Sequence, residues 1–189
     1  VCVAEYRTLL RDREEAEPGG RKGSIARLNL SLALRDSDNV HDVTEAITLA
    51  EYEWHTRSDD AAKTGKSNAN VVPALEAYVR ACVRRAQMGA PYFQGGQLDK
   101  LRSLSDDLEA AALAAYGRTH GATVQAMICR ASAYLTAGDA ATAVLLLDIA
   151  ARHKNHLDPD QAGYLPSTQA RAWAESTDPD DMLVALTLA

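Results

Sequence analysis

The stretch Arg130-Ala-Ser-Ala-Tyr-Leu-Thr-Ala-Gly-Asp-Ala-Ala-Thr-Ala-Val-Leu-Leu-Leu-Asp-Ile-Ala150 predicts two antiparallel helices joined by a tight turn at Gly138-Asp139. Small side chains stand where two helices would approach most closely, and larger ones fill the seam between them. The small residues are Ala131, Ala133, Ala143 and Ala150, and the large ones are Tyr134, Leu135, Leu146 and Leu147. A helical hairpin with this spacing is typical of units that stack on copies of themselves.

Composition restricts the fold class. The chain has 189 residues, of which 47% are hydrophobic and only 5% aromatic, and alanine is abundant. Alanine has the highest helix propensity and lets helix backbones approach closely. Apolar and polar residues alternate in no sustained run, so a sheet is not expected. These features predict an all-α fold of about nine helices that pair as antiparallel hairpins.

The spacing of apolar residues predicts where these helices lie. Their approximate ranges are 1–15, 25–35, 40–55, 71–87, 97–116, 122–137, 139–153, 161–175 and 179–189. Ser24 is expected to cap the second helix, and Gly117 is expected to end the fifth. Residues 57–70 are polar and predict a mobile loop. We expect residues 1–189 to form a single helical repeat domain, and the start at Val1 without methionine predicts a fragment of a longer chain.

A shift of 39 residues relates the opening hairpin to the C-terminal part of the chain. The residue types match at seven pairs of positions. The pairs are Ala131 with Ala170, Ala133 with Ala172, Tyr134 with Trp173, Asp139 with Asp178, Val144 with Leu183, Leu147 with Leu186, and Ala150 with Ala189. Self-similarity at a fixed period is the signature of stacked helical arrays, so the last hairpin is interpreted as a second copy.

The hairpin resembles a tetratricopeptide repeat. In that family the first helix ends in a Leu-Gly-x-x-Tyr pattern, Gly-Asp forms the turn, and the second helix carries spaced alanines. The matching positions are Ala131 (in place of the glycine), Tyr134, the Gly138-Asp139 turn, Ala143, Leu147 and Ala150. Arg130 departs from the expected leucine, and Asn155 departs from the closing proline. The period of 39 is also longer than the family's usual repeat of about 34 residues.

The resemblance covers residues 123–189, whereas residues 24–56 and 71–116 match only as helix pairs with long connections. It implies a short right-handed solenoid whose inner face is lined by the first helix of each pair. The ligand positions that it implies are Gln125, Ile128, Ser132, Leu135 and Thr136, and on the copy Tyr164, Ser167, Arg171, Ala174 and Glu175. The alternative fold is another all-α bundle.

The charge distribution restricts the partners. The formal net charge is −6, which argues against nucleic acid as the main partner because phosphate binding needs a basic surface. Acidic residues concentrate in residues 36–60, and basic residues in residues 63–102. Arg80 and Arg84 lie four residues apart on one predicted helix and could pair with an acidic peptide or a carboxylate terminus. The alternative is that they face solvent and pair with the acidic 36–60 segment.

Two stretches resemble ligand-binding motifs only in part. Lys63-Thr-Gly-Lys-Ser67 lacks the upstream glycine of a phosphate-binding loop, and Asp60 stands in its place. His153 and His156 could bind a metal, but their position at a helix end favours a role as C-terminal cations. We therefore predict no catalytic residue, no metal and no cofactor.

The cysteines and the apolar runs indicate the compartment. Cys2, Cys82 and Cys129 are odd in number and widely spaced, and are interpreted as free thiols in a reducing cytosol. No apolar run approaches the roughly 20 residues of a membrane span, and no signal peptide is visible. A cytoplasmic location without a membrane partner is expected.

The function that these features favour is binding rather than catalysis. We hypothesise a helical repeat module that binds a protein or peptide segment, as the sensory or interaction part of a bacterial regulator, with self-association as a further mode. Its candidate contact residues are Arg80, Arg84, Gln125, Ser132, Thr136, Arg171 and Glu175. The alternative hypothesis is a small-molecule-sensing helical domain of a transcriptional regulator, with a pocket lined by Tyr92, Phe93 and Tyr116.

Overall fold

A computed structural model describes residues 3–65, 68–89 and 96–176, which form eight α-helices and contain no strand. The helices are α1 (Val3–Ala16), α2 (Arg21–Arg35), α3 (Val40–Thr64), α4 (Val72–Gln87), α5 (Gly96–Tyr116), α6 (Gly121–Thr136), α7 (Ala140–Arg152) and α8 (Pro159–Glu175). Short 3-10 turns lie at Asn68–Asn70 and Lys154–His156. The all-α class is confirmed for these residues, and the ninth expected helix, 179–189, lies outside them.

The loop expected at residues 57–70 is wrong over residues 57–64, which continue α3 as helix. Arg57 supports this extension, because its guanidinium lies 3.3 Å from Glu53 one turn earlier and donates to the carbonyl of Asn70. α3 ends at Gly65, whose φ of 61° is the left-handed conformation that glycine adopts most easily. A polar segment such as residues 57–64 can remain helical when the preceding turns of the same helix are packed against other helices. The polar composition of residues 57–64 did not indicate this.

The helices fall into two compact units, residues 1–93 and 94–189. In the first unit α2 packs against α1, α3 and α4, and α3 packs against α4. In the second unit α6 packs against α5, α7 and α8, and α7 packs against α8. Each unit therefore contains a helical hairpin, α2–α3 or α6–α7, flanked by one preceding and one following helix.

The two hairpins bury side chains at corresponding positions, 100 residues apart. Asn39 caps α3 by accepting from the backbone N–H of His41, and Asp139 caps α7 by accepting from that of Thr142. The residues after the caps are buried at the same spacing: Val43 with Ala143, Ile47 with Leu147, and Ala50 with Ala150. The correspondence extends to the preceding helices, where Ser31 and Ala131 are both buried.

The helices of the first unit are joined by a cluster of charged and polar side chains around Glu53 of α3, whose side chain is 0% exposed. Its carboxylate accepts from Ser24 and Arg27 of α2, and Arg57 lies beside it. Arg27 also pairs with Glu14 of α1. The expectation that Ser24 caps α2 is therefore wrong: α2 begins at Arg21, and the Ser24 hydroxyl, inside the helix, donates to a buried carboxylate instead.

The core of the second unit surrounds α6, which is buried along most of its length. Leu165 and Ala172 of α8 enter the same apolar cluster as the α6–α7 hairpin. Tyr134 and Trp173, which the 39-residue shift pairs, are both half-buried and both pack against this cluster. Ala172 is buried like Ala133, whereas Ala170 is half-buried where Ala131 is fully buried, and the positions of the proposed second copy from Asp178 onward lie outside the described residues.

Arg130, the departure from the tetratricopeptide pattern, joins α6 to α5. Its guanidinium lies 2.6 Å from Asp106 and 2.8 Å from Glu109, and 5.3 Å above the ring of Tyr134. Burial acts to lower the pKa of Arg130, but the hydrogen bond to Glu109 and the charge of Asp106 outweigh it and raise the pKa above its usual range. Arg130 therefore stays charged, and it joins α6 to α5 through ion pairs at a position where a leucine would make apolar contacts.

Replacing Glu53 by glutamine should lower the free energy of unfolding by about 3 kcal/mol, because half-buried Arg57 would lose its acidic partner and buried Arg27 would keep only Glu14. Urea denaturation measures the change. Asp59→Asn, the same acid-to-amide change at an exposed site of α3, should stay within about 0.5 kcal/mol. A loss below about 1 kcal/mol for Glu53→Gln would show that the cluster is not a buried ionic anchor.

Asn39→Ala and Asp139→Ala should each cost about 1 kcal/mol, because each leaves a backbone N–H at a helix start without its acceptor. Thermal and urea unfolding of the single variants measure this cost. Ser103→Ala, at an exposed position of α5, serves as the control and should be nearly neutral. Neutral behaviour of either cap variant would contradict the equivalence of the two turns.

Candidate functional site

The candidate contact residues lie in both units, with Arg80 and Arg84 in the first and the other five in the second. Within the second unit, α8 presents one exposed row of side chains spaced three or four residues apart. The row consists of Tyr164, Ser167, Arg171, Ala174 and Glu175, all of them exposed. Tyr164 is 66% exposed, the largest value among the large hydrophobic residues that the structure describes. The positions that the resemblance implied on α8 therefore form a continuous surface.

The α6 positions behave differently. Gln125 is only 3% exposed, and Ile128 and Leu135 are buried in the core. Ser132 and Thr136 are half-buried, and their hydroxyls donate to the backbone carbonyls of Ile128 and Ser132 one turn earlier. Of the five implied positions on α6, only Ser132 and Thr136 thus offer surface, because the other three are buried.

Gln125 has an unusual environment for an amide. Its Nε2 lies 3.8 Å from Cys129 Sγ, and its Oε1 has no hydrogen-bond partner among the described residues. The side chain is closed off from solvent, so it offers no contact to a docked peptide in this structure.

The charged residues of the α8 row pair along the helix. Arg171 Nε lies 3.3 Å from Glu175 Oε1 at an (i, i+4) spacing, and both side chains are largely exposed. Exposed pairs of this kind contribute about 0.3–0.5 kcal/mol, so either partner can exchange into another ion pair at small cost. The row therefore offers an aromatic ring, a hydroxyl and an exchangeable pair of opposite charges.

Arg80 and Arg84 lie on α4 beside the turn that joins α2 to α3. Arg84 binds the carboxylate of Asp38 at 2.7 Å, and Arg80 binds Glu76 at 2.9 Å. The expected alternative, pairing with the acidic 36–60 segment, is confirmed for Arg84. Asp38 is fully exposed, so this ion pair is a weak surface contact.

The same arginines act on Asp36. Its carboxylate accepts two hydrogen bonds from the guanidinium of Arg35, which lowers the pKa of Asp36 below its usual value. The charges of Arg80 and Arg84 lower it further, against the opposing effect of desolvation. The three arginines therefore form one basic group around the C-terminal end of α2.

One exposed surface, on α2, is absent from the surfaces that the sequence predicts. Helical periodicity groups Ile25, Leu28, Leu32 and Leu34 of α2 in a single apolar set, yet Ile25 is 49% and Leu32 is 37% exposed. Leu34 lies in the core, and Leu28 is half-buried. Ile25 and Leu32 lie seven residues apart and therefore share one face of the helix, which is not the core face. This spacing is the signal in the sequence that α2 has two apolar faces.

The partial ligand motifs gain no support from the geometry. Gly65 of the Lys63–Ser67 stretch is the residue that ends α3, and residues 66 and 67 lie outside the described part. The rings of His153 and His156 lie 6.3 Å apart, and no group of three or more potential metal ligands occurs among the described residues. Gly121 abuts the backbone carbonyl of His156, where a Cβ would overlap it, so this turn is packed against the start of α6.

The remaining expectations concern thiols and aromatic rings. Cys82 and Cys129 are buried and form no disulfide among the described residues, and Cys2 lies outside them. Of the three residues expected to line a small-molecule pocket, Tyr92 and Phe93 also lie outside them. Tyr116 stacks on His120 with ring centroids 4.7 Å apart.

Substituting glutamine for Arg35 should raise the pKa of Asp36 toward its ordinary value, and Arg80→Gln should raise it by less, in the order of their contributions. Carboxyl NMR titration measures both. Because the folded-state pKa lies below the ordinary 3.8, Asp36 binds fewer protons in the native state. Its stabilising contribution is present at neutral pH and is lost as the pH falls through the folded-state value. An Asp36 pKa unchanged by Arg35→Gln would contradict this arrangement.

No helix within residues 3–65, 68–89 or 96–176 has both the length and the apolar character needed to cross a membrane. Neither family models, curated proteins nor solved structures matched this chain.

Proposed function

We propose that the chain is a helical repeat module that binds a peptide or protein segment. The exposed row on α8 carries the proposal, because it combines Tyr164, Arg171 and Glu175 on one face of a helix whose other face is buried. A rigid helix presents such side chains at fixed spacing, which lowers the conformational entropy lost on binding. The tetratricopeptide resemblance, which implied these positions, supports the same function.

The chemistry of the row suits a polypeptide ligand. Tyrosine and arginine are enriched among residues that contribute most to protein–protein affinity. The proposed surface also includes Ser132 and Thr136 of α6, the helix that packs against α8. The backbone of a bound segment could hydrogen-bond to hydroxyl groups, while its side chains contact the ring of Tyr164.

The wider setting follows from the resemblance. In this proposal the chain is the interaction part of a bacterial regulator that acts in the cytoplasm, and Arg80 and Arg84 bind a carboxylate of a partner. Their present partners, Glu76 and Asp38, belong to weak surface pairs that an incoming carboxylate could replace. Nucleic acid is not a direct partner, because the net charge is −6.

A display library of random peptides about 12 residues long, selected against the purified chain, tests the proposal. The wild type should enrich a common motif, and Tyr164→Ser combined with Arg171→Glu should weaken binding of the enriched peptide about tenfold or more. Leu145→Ser combined with Arg152→Glu, on the exposed side of α7, is the matched control and should leave binding unchanged.

Two outcomes would contradict the proposal: no enriched motif, or equal binding of that peptide by the wild type and the α8 variant. A rise in Tm with a small metabolite, together with failure of peptide selection, would favour the small-molecule-sensing alternative.

A further inference from the structure

The open face of α2 is apolar where a helix of this kind is normally polar. Ile25, Leu28 and Leu32 stand at positions i, i+3 and i+7 of one face, and the outer two are 49% and 37% exposed. The opposite face of α2 supplies the core residues Ala26, Leu30 and Leu34. The apolar row is therefore additional to what the fold of this unit requires, and contiguous apolar exposure of this kind marks interaction sites.

Basic residues flank both ends of this row. At the N-terminal end, Arg21 and Lys22 are exposed and form no ion pair with the described residues. Glu17 lies against Gly20, and Glu14 lies against Gly23 and pairs with Arg27, so Arg21, Lys22 and Glu17 together leave one excess positive charge. α2 itself contains no acidic residue.

At the C-terminal end the row reaches Asp36, one turn after Leu32. Arg35 hydrogen-bonds to Asp36, and Arg80 and Arg84 of α4 interact with it electrostatically. The acidic residues of this group are Asp36, Asp38 and Glu76, which balance the three arginines through exposed or half-exposed pairs. Because the charges of Arg80 and Arg84 act on Asp36, and α2 and α4 pack against each other, the C-terminal end of the apolar row lies near these two arginines of α4.

We propose that the open faces of α2 and α4 form a docking surface for an acidic amphipathic helix of a partner protein. From Ile25 to Leu32 the row is about 10 Å long, which matches two turns of a partner helix with apolar side chains at i, i+3 or i+4, and i+7. Acidic side chains before and after that apolar segment would reach Arg21 and Lys22 at one end and the arginines around Asp36 at the other.

The proposal extends the proposed binding function to a second surface and a defined ligand class. An anionic membrane fits this surface less well, because Glu17, Asp36, Asp38 and Glu76 would face the lipid headgroups. A helix can place single carboxylates beside the basic residues and replace exposed pairs such as that of Arg84 with Asp38. The docking surface on α2 and α4 shares no residue with the α8 row, so the two surfaces can be tested separately.

Fluorescence anisotropy with two labelled synthetic helices tests the proposal. Both helices carry leucine at i, i+3 and i+7, one is flanked by glutamates and the other by lysines at the same positions. The chain should bind the glutamate helix at least about tenfold more tightly than the lysine helix, with an affinity that falls as salt rises. Equal affinities would show only non-specific apolar contact and would overturn the proposal.

Substitutions locate the binding. Leu32→Glu and Ile25→Glu should each weaken binding of the glutamate helix by about tenfold or more. Leu145→Glu, which alters a 65% exposed leucine of α7, is the matched control and should leave that affinity unchanged. Because all three positions are exposed, circular dichroism should show unchanged folding; if Leu32→Glu misfolds, Arg21→Glu with Lys22→Glu provides the second test and should weaken binding in the same direction. Binding unaffected by these changes would overturn the proposal.

Other occupants give distinct results. Tighter binding to phosphatidylserine vesicles than to the glutamate helix would assign the surface to a membrane. A dimer in sedimentation that Ile25→Glu abolishes, without helix binding, would assign it to a second copy. The Tyr164→Ser/Arg171→Glu variant should keep its affinity for the glutamate helix. A negative result for peptide binding at the α8 row would therefore leave the α2–α4 proposal standing, and a negative result for the glutamate helix would leave the α8 proposal standing.

Discussion

Close approach of helix backbones at small residues is the constraint on which both units depend. Ala50 and Ala150 are fully buried at corresponding positions of α3 and α7, and Ser31 and Ala131 occupy the matching position on the preceding helices. The Ser31 hydroxyl donates to the carbonyl of Ala46 at 2.9 Å, which places a side chain of α2 directly against the backbone of α3. Larger residues at these positions would separate the helices and remove the dispersion contacts that a close-packed core supplies.

Close packing also decides how the charged residues are used. Where helices touch, burying a charge is costly unless it is paired, and Glu53 with its two arginines in the first unit is the clearest example of such pairing. The Arg130 group of the second unit joins α5 to α6 in the same way, at a position where a leucine was expected. Pairing of this kind restricts how the helices can be arranged, because each partner is held by a different helix.

The surface residues, in contrast, are paired weakly and locally. Arg84 with Asp38 and Arg171 with Glu175 are exposed pairs whose partners can be exchanged at little cost. Apolar side chains remain exposed beside both pairs, as Leu32 near the first and Tyr164 on the same helix as the second. This combination of a rigid helical frame, exposed apolar side chains and exchangeable charges is why we infer binding surfaces rather than a reaction centre.

The sequence by itself determined the helical class, the start of α7 at Asp139 and the end of α5 at Gly117. These features depend on residues close together in the chain, whose propensities and capping hydrogen bonds act locally. The repeat spacing likewise indicated which residues of α8 share a face.

Only the tertiary structure decided which faces are covered. Helical periodicity groups Ile25 with Leu32 and Gln125 with Ser132, but it does not state whether a neighbouring helix lies against the group. The structure exposes Ile25, buries Gln125, assigns Ser24 to Glu53 rather than to a cap, and extends α3 to Thr64 through the contacts of Arg57. Each of these outcomes depends on residues from different helices meeting in space, and that proximity is a property of the packed chain rather than of any local stretch.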